Sequence, residues 1–448
     1  MSRYGPGVWW MSPAVTSTTI VTISVAVTAY VSDEGFRRQW NTPKAFDGAF
    51  AILFLSGGMA VALGALAVVA ISPVRASTER WPAVSTGELG VLRRASTVLV
   101  VLTAFGYAAF VVLGAARGVT VDQLLSSFGA SGLYGTDLKK QLGTAPGLTT
   151  MTQFGPAAVI VSALAFCRSP RRSEFIKIVI VVGMSLPRAF FLTERLAVLE
   201  LVVPLVAVLA MGASVRPRLR SAVGLLPAVA VPVVVGVFAL FEYTRSWAYF
   251  RTRTDVPFAQ FAVERLAGYY TTALNNGALQ LVHSDYPGRW PRATLEAFWT
   301  APGISQLNLY QLLDGHDPES DYVQLLATYG NPEFNNAGGI ADPFLDWGVI
   351  GGLVYFLAVG VIAGAAHCGS LASRPAGMLF YPILFLGLLE LPRYLYWSQG
   401  RALPTLLGLS GVALALSRAD FWTTRHHADP DTGRTFAVIG PEARRETR

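Results

Sequence analysis

Long apolar runs separated by short polar segments follow one another along most of the chain. A helix needs about 20 residues, each rising about 1.5 Å, to cross a hydrocarbon core about 30 Å thick. The runs that meet or approach this length are Val8–Val31, Phe46–Ile71, Ala95–Ala115, Leu148–Cys167, Phe175–Phe191, Leu196–Ser214, Val223–Phe241, Phe344–Ala366, Met378–Trp397 and Leu403–Leu416. They are continuously apolar instead of alternating, which excludes a transmembrane β-barrel. The pattern predicts an all-α polytopic membrane protein with about ten transmembrane helices.

The composition agrees with this prediction. Of the 448 residues, 52% are hydrophobic and 14% are charged, whereas an ordinary soluble domain carries about 25% charged residues. These values exclude a disordered chain, a nucleic-acid-binding domain and a typical cytosolic enzyme. The net charge is +7, and most arginines lie in short loops where they orient helices and contact anionic membrane lipids. The first run is too long for a signal peptide, so we interpret it as a retained span.

The distribution of basic residues predicts the orientation of the helices. The densest basic groups follow the second, fourth and sixth runs. Because loops rich in Arg and Lys remain in the cytoplasm, both chain ends are expected on the cytoplasmic side. The two cysteines, Cys167 and Cys368, then lie at cytoplasmic ends of spans, and two cysteines cannot support a disulfide framework. We expect both to be reduced.

A polar segment of about a hundred residues interrupts the series of apolar runs. The predicted organisation is transmembrane helices 1–7 in residues 1–241, a large extracytoplasmic loop in 242–343, transmembrane helices 8–10 in 344–418 and a disordered cytoplasmic tail in 419–448. Apolar residues recur near a period of 3.6 from Pro257 to His283, which predicts an amphipathic helix within the loop. Loops of this length in compact proteins usually form a lid or a binding surface.

Several ionisable residues lie beside spans at the ends that this topology places outside the cytoplasm. They are Arg188, Glu194, Arg195, Glu200, Glu242, Arg245, Asp342, Asp346, Glu390 and Arg393. Each could be an end residue that pairs with a neighbour or extends to the interface. Their clustering also suits a ligand, because charges at membrane depth are costly and arginine presents planar donors that match phosphate oxygens. Such a pocket favours a lipid-linked diphosphate.

Four features in or beside the loop have two interpretations each. His283 is either a surface residue or a general base. The acidic turn Asp314–Asp321 has the composition of a calcium loop but not the EF-hand order, so no metal site is predicted. Gly338-Gly339 indicates close backbone packing rather than a phosphate cradle. Asp346, just before an apolar run, could be a helix cap instead of a functional carboxylate.

The sequence around Asp346 resembles a known family. The stretch 334–351, FNNAGGIADPFLDWGVIG, resembles the "aspartate-aromatic-glycine, two residues, glycine" signature of bacterial O-antigen and exopolysaccharide repeat-unit polymerases (Wzy-type). Phe36–Lys44 resembles the arginine to proline-lysine entry of that family, and Thr193–Arg195 resembles its arginine at an outer helix start. The number of spans and the position of the large outer loop are also similar.

The resemblance implies a reaction and a location. The family acts in the bacterial cytoplasmic (inner) membrane, on the extracytoplasmic face. It transfers a growing glycan from polyprenyl diphosphate to the non-reducing-end hydroxyl of another lipid-linked oligosaccharide repeat unit. No metal or other cofactor is expected, because a diphosphate is already a good leaving group. A chain-length regulator and a flippase are the implied partner proteins, and nucleic acid is not a partner.

The same resemblance distributes roles among the candidate residues. Catalytic roles are expected for Arg195, Arg245, His283 and Asp346. Arginines would stabilise the leaving diphosphate, and His283, Glu242 or Asp346 would act as general base. Substrate-binding roles are expected for Arg188, Arg265, Tyr269, Tyr270 and Arg393. The two tyrosines, with Trp290, would stack on sugar rings.

Two other classes of protein fit parts of the sequence. One is a different lipid-linked-sugar glycosyltransferase or an O-antigen ligase-like transferase, because Asp33-Glu34 resembles the acidic pair of polyprenyl-phosphate-sugar transferases. The other is a transporter or flippase for lipid-linked glycans. A protein of that class would usually carry charged residues at the membrane midplane and would lack an outer loop of this length.

Overall fold

The computed structural model describes residues 8–72, 85–120, 122–123, 143, 145–191, 194, 196–243, 247, 250–252, 256–284, 287, 289–315 and 318–425. These residues form helices and connecting turns, with no β-strand among them. The α-helices, numbered in chain order, are α1 (Pro13–Tyr30), α2 (Asp33–Trp40), α3 (Gly48–Ile71), α4 (Thr86–Ala116), α5 (Gly155–Arg168), α6 (Arg172–Phe191), α7 (Leu196–Ser214), α8 (Pro217–Gly224), α9 (Leu226–Glu242), α10 (Phe258–His283), α11 (Glu296–Trp299), α12 (Leu309–Asp314), α13 (Pro318–Tyr329), α14 (Asp342–Leu371), α15 (Pro375–Glu390) and α16 (Ala402–Arg425). This part of the chain has the all-α architecture that the apolar runs predict.

Seven helices in the described chain are long and apolar enough to cross a membrane. They are α1, α3, α4, α5 with the preceding 3-10 turn Thr149–Phe154, α7, α14 and α16. The pair α8 and α9, bent by 48°, adds an eighth if it forms one span. The two other predicted spans fall in α6, which carries four charged residues, and in α15, which has only 16 residues. The total of ten spans therefore stays a prediction.

Several predicted boundaries differ from the observed ones; α4, for example, begins at Thr86 instead of Ala95. α15 ends at Glu390 instead of continuing to Trp397. Pro392 explains this break, because it lies two residues beyond Glu390 and has no backbone N–H to donate the next hydrogen bond of the helix. α14 begins at Asp342, two residues before the predicted boundary, and α16 continues past residue 418 to Arg425. The rest of the predicted tail, residues 426–448, lies outside the described residues.

Small residues allow two long apolar helices to approach each other closely. α3 and α14 pack together along much of their length. A Cβ atom added at Gly360 would meet the carbonyl oxygen of Val61, and one at Gly64 would meet that of Leu357. Gly364 lies one turn beyond Gly360, which gives the small-xxx-small spacing typical of tightly packed membrane helices.

The second part of the core surrounds α5. Every residue from Gly155 to Ala165 is buried, and α5 packs against α4, α6, α7, α15 and α16. A helix that is apolar on all sides is expected to lie inside a bundle. α5 is therefore the central helix of this half of the molecule.

α10 lies across one end of the bundle. This is the end at which α6, α9 and α15 finish and α5, α7, α14 and α16 begin, and we call it the loop end. The helix contacts Trp40, the segment 43–46 and the segment 334–337. Residues 271–279 are all buried. The predicted helix over 257–283 is confirmed, but its second half belongs to the core and is not a lid.

The segment that carries the family resemblance is held between α10 and the turn that follows α15. Gly338 has a φ of 85°, and its N–H donates to the carbonyl oxygen of Arg393 at 3.0 Å. A Cβ atom at this position would collide with the carbonyl oxygen of Ala273 on α10. One at Gly339 would collide with the backbone of Tyr394. The prediction of close backbone packing at this glycine pair is confirmed.

Candidate functional site

Arg393 lies among three tyrosine rings at the loop end. Its Nη1 donates to Oε2 of Glu390 at 2.8 Å, one turn back along the chain. The guanidinium carbon lies 5.1 Å from the ring centre of Tyr394, 5.5 Å from that of Tyr269 and 6.0 Å from that of Tyr270. Three residues predicted to bind substrate are thus brought together from α10 and from the turn after α15.

Arg401 forms a second arginine-glutamate pair close to the first. Its Nη1 donates to Oε1 of Glu200 at 3.3 Å, and its side chain is 32% exposed whereas that of Glu200 is 3% exposed. Tyr394 lies between the two pairs, since the charges of both pairs act on its hydroxyl. Sequence reasoning missed Arg401. The available signal was its position immediately before an apolar run, which is the criterion that selected Arg195.

Arg188 extends this polar group toward α5. Its Nε donates to Glu194 at 2.8 Å, and its Nη1 donates to the hydroxyl of Thr152 at 2.8 Å. With the side-chain amide of Gln153 turned so that its nitrogen faces Glu200, this nitrogen donates to Glu200 Oε2 at 3.2 Å. The amide oxygen then accepts from Arg188 at 3.2 Å. Gln153 thereby connects the Arg188 pair to the Arg401 pair.

Arg265 is connected to Arg393 through aromatic rings. Its guanidinium carbon lies 5.0 Å from the ring centre of Phe334, and this ring lies 6.4 Å from that of Tyr269, on which Arg393 packs. Nη1 of Arg265 lies 2.8 Å from Glu333, and Nε lies 3.8 Å from the buried Glu242. Four arginines of the described chain, 188, 265, 393 and 401, therefore form one connected group, which we call the arginine row.

Each guanidinium of the arginine row is paired with a carboxylate, but the pairing does not use all of the N–H donors. Burial alone would lower the pKa of Arg393, but the carboxylate of Glu390 raises it above its ordinary value, so the guanidinium stays charged. A guanidinium has five N–H donors, and the ion pair with Glu390 uses one of them. Within the described chain, Nε of Arg393 and the hydroxyls of Tyr394 and Tyr396 make no hydrogen bond. The arrangement can therefore bind oxygen atoms of an anionic ligand.

Two of the predicted catalytic arginines cannot be placed. Arg195 and Arg245 lie outside the described residues. Their chain neighbours lie at the loop end: Glu194 pairs with Arg188, and Glu242 lies beside Arg265. The roles assigned to Arg195 and Arg245 stay predictions.

The hydrogen bonds of Asp346 indicate that it anchors a neighbouring segment. Oδ1 accepts the backbone N–H groups of Arg292 and Ala293 at 3.0 and 3.2 Å. Oδ2 accepts the backbone N–H and the hydroxyl of Thr294 at 2.7 and 2.6 Å. A carboxylate that already accepts four hydrogen bonds is poorly disposed to take a proton from a sugar hydroxyl. These hydrogen bonds disfavour a general base at Asp346, and its catalytic role stays a prediction.

His283 lies away from the arginine row. It is the last residue of α10, is exposed, and stacks on the ring of Tyr329 with centroids 3.8 Å apart. Tyr269 lies 14 residues earlier on the same helix, which corresponds to about 20 Å. The surface interpretation fits this position, and the role of general base stays a prediction that the distance from the arginine row disfavours.

The described residues contain no group of three or more His, Cys, Asp or Glu side chains arranged to hold a metal ion. No family model, no curated protein and no solved structure matches the chain. The features that bear on function are the geometry of the loop end and the sequence of the segment packed against it.

Proposed function

We propose that the protein polymerises polyprenyl-diphosphate-linked oligosaccharide repeat units into a cell-surface polysaccharide. The growing glycan would be transferred from its lipid carrier to the non-reducing end of a new lipid-linked unit. The observation that carries this proposal is the arginine row, gathered at one end of a bundle of membrane-length apolar helices. The segment 334–341, which is part of the family resemblance, packs directly against Arg393 of this row and against the neighbouring Tyr394.

The arginine row suits a lipid diphosphate for an electrostatic reason. Negative charge on the diphosphate grows as the bond to the sugar breaks, so fixed positive donors stabilise the transition state more than the ground state. Arg393 and Arg401 keep free donors beside their glutamate partners and retain their charge at every physiological pH. An isoprenoid chain in the membrane would present its headgroup at the depth of these helix ends.

The carboxylates beside the arginine row supply a proton acceptor. Glu390 is paired with Arg393, whose guanidinium packs on the rings of Tyr269 and Tyr270. We assign it as the general base in place of His283 and Asp346. It would take the proton of the acceptor hydroxyl while that oxygen bonds to the anomeric carbon. The bond from this carbon to the diphosphate breaks, and polyprenyl diphosphate leaves.

The positions of buried acids favour an enzyme at the helix ends over a transporter. Among the described residues, the buried acids are Glu174, Glu200, Glu242, Asp342, Asp346 and Glu390. Each lies within the first five residues of its helix or is the last one. A transporter site formed by charged residues would lie near the midplane instead.

The acidic pair behind the other transferase hypothesis has a local explanation. Asp33 and Glu34 are exposed and occupy the first turn of α2, where Ser32 caps the helix. Acidic residues at a helix N-terminus are favoured by the helix dipole without any ligand. This pair therefore gives little support to a polyprenyl-phosphate-sugar transferase.

The proposal is tested with the purified protein in lipid nanodiscs and a polyprenyl-diphosphate repeat unit as sole substrate. Formation of a ladder of longer lipid-linked glycans is the expected result. A requirement for a polyprenyl-monophosphate sugar would favour the other transferase class. Movement of the labelled unit across vesicle membranes without any change in glycan length would overturn the polymerase and favour a transporter.

A further inference from the structure

A segment of the large loop is tied to the start of α14. This segment, residues 289–315, contains the short helices α11 and α12, and we call it the arm. Asp346 on α14 accepts four hydrogen bonds from residues 292–294 of the arm. Nε1 of Trp347 donates to the hydroxyl of Thr294 at 3.1 Å, which adds a second connection. The base of the arm is therefore fixed relative to the first turn of α14.

Several large apolar side chains of the arm are exposed, and contact between apolar surface and water is unfavourable in free energy. Five of them are between 41% and 76% exposed: Leu295, Phe298, Leu307, Leu312 and Leu313. Large exposed apolar groups close together in sequence indicate a surface that contacts a partner or a membrane. The arm also contains aromatic residues with polar tips. Two of them, Trp299 and Tyr310, pack together with ring centres 5.2 Å apart.

The apolar surface of α14 continues from the point where the arm is attached. Ile350, Val354, Leu357 and Val361 are between 41% and 81% exposed, and their spacing of four, three and four residues places them on one face of the helix. α14 is long and apolar enough to cross a membrane, and an exposed apolar face on such a helix is suited to contact with lipid. The backbone departs from helical geometry at Gly348, where φ is 67°. Trp347, which bonds to the arm and is 47% exposed, lies just before this break, next to Gly351 in the apolar part of the helix.

We propose that the arm lies in the membrane interface at the loop end, with its leucines and Phe298 inserted among the lipid chains. The exposed surface of the arm continues the exposed apolar face of α14. We therefore assign lipid, and not a partner protein, as what contacts the arm. Trp290, Trp299, Tyr310 and Trp347 then lie at headgroup level, where amphipathic rings are favoured. Short helices with one apolar face bind to such an interface parallel to its plane.

In this placement Asp346 has a structural role. The carboxylate fixes the base of the arm at the depth where α14 enters the membrane. The inference concerns a lipid contact and does not depend on the proposed polymerase activity, so the two can fail separately.

The test measures the membrane depth of single positions. Cys167 and Cys368 are first replaced by serine and alanine, and single cysteines are introduced as Leu312→Cys or Leu307→Cys in the full-length protein. Each is labelled with an environment-sensitive fluorophore in nanodiscs that contain nitroxide-labelled phosphatidylcholine. The labels on the arm are expected to be quenched by nitroxide lipid to a similar extent as a label at Val354→Cys, and to be protected from aqueous iodide.

A matched control is Val323→Cys on α13, because Val323 has a comparable exposure of 57% but lies outside the arm. Lipid quenching at Leu312 and Leu307 should exceed that at Val323. Equal lipid quenching at all three positions, together with iodide quenching of the arm labels, would overturn the inference and leave a partner protein as the occupant.

The anchoring role of Asp346 is tested in the same system. Asp346→Asn replaces one acceptor oxygen by an amide that faces other donors, so the label at Leu312 should lose part of its lipid quenching. If this variant does not fold, Trp347→Phe removes only the indole hydrogen bond to Thr294 and should produce a smaller loss. Unchanged quenching in the folded variant would refute the anchoring role.

Discussion

The two ends of the helix bundle both bury an acid beside a basic residue, but the interactions differ. At the end opposite the loop end, Nζ of Lys177 donates to the carbonyl oxygen of Arg93, to the hydroxyl of Ser96 and to Glu174 at 3.2, 2.8 and 2.9 Å. The other oxygen of Glu174 accepts from Ser96 at 3.0 Å. An ammonium has three donors, and all three are satisfied within the protein.

At the loop end the corresponding network is incomplete. Arg393 donates to Glu390, but its Nε makes no hydrogen bond within the described chain, and neither do the hydroxyls of Tyr394 and Tyr396. A closed polar network fixes one packing arrangement, whereas a partly satisfied one costs stability unless a ligand completes it. Nε of Arg93, at the opposite end, also makes no hydrogen bond within the described chain, so the contrast holds for the two ion pairs and not for every polar group at each end. It favours a structural role for Lys177 and Glu174 and supports the proposed ligand-binding role of the loop end.

The largest expected effect follows from removal of Arg393. Arg393→Gln should reduce polymer formation at least about 100-fold, because a fixed donor to the leaving diphosphate is lost. The substitution also leaves the buried Glu390 without its ion partner, which lowers stability. The measurement is glycan chain length on gels, normalised to folded protein in nanodiscs.

The matched control separates stability from activity. The double variant Arg393→Gln, Glu390→Gln replaces the ion pair with two neutral amides of similar size, so thermal stability should recover while polymer formation does not. Wild-type polymer formation by the double variant would show that the pair is only structural. The loop end would then resemble the opposite end.

At the end opposite the loop end, disruption of the Lys177–Glu174 pair should change stability and not activity. Glu174→Gln should lower the free energy of unfolding by about 2–3 kcal/mol, since Lys177 loses its buried counter-charge. Activity per folded molecule should stay unchanged. Thermal unfolding in nanodiscs measures the first quantity and gel analysis the second. Loss of activity without loss of stability would reverse the comparison between the two ends.

The sequence predicted the helices well because their signal is local. Each predicted apolar run coincides with helix over most of its length, and the run Leu196–Ser214 matches α7 at both ends. The main error, at Met378–Trp397, arose because apolar residues continue past Pro392 although the helix does not. Composition alone does not distinguish a turn packed inside protein from a span.

The candidate site was predicted only in part, because pairing depends on residues far apart in the chain. Arg393 and Tyr269 were selected singly, and the structure places them in contact. Arg401 was missed because its partner Glu200 lies 201 residues away. For Asp346, the family signature indicated importance, but its hydrogen-bond donors lie more than 50 residues earlier and carry no sequence pattern of their own.

A smaller effect tests whether the loop end excludes water. Burial, with a further contribution from Glu390, raises the pKa of Tyr270 to about 12 from its usual 10, although Arg393 opposes this. The folded protein therefore holds this proton more tightly than the unfolded chain does. The resulting stability is present below pH about 10 and is lost as the pH rises toward about 12.

The variant Tyr270→Phe removes this titration and should make the melting temperature fall less steeply at alkaline pH. Thermal unfolding at several pH values from about 8 to about 11 measures the difference from wild type. Identical slopes for the two proteins would mean that Tyr270 is solvated, and the loop end would then be wetter than its ring contacts indicate.

The smallest effect is expected at His283. Because this side chain is exposed and stacks on Tyr329 about 20 Å along α10 from the arginine row, His283→Gln should leave polymer formation within about twofold of wild type. A general base typically contributes about 100-fold or more, so the two interpretations differ by an amount that gel analysis resolves easily. A large loss at His283 with a small one at Arg393 would move the reaction from the arginine row to the far end of α10.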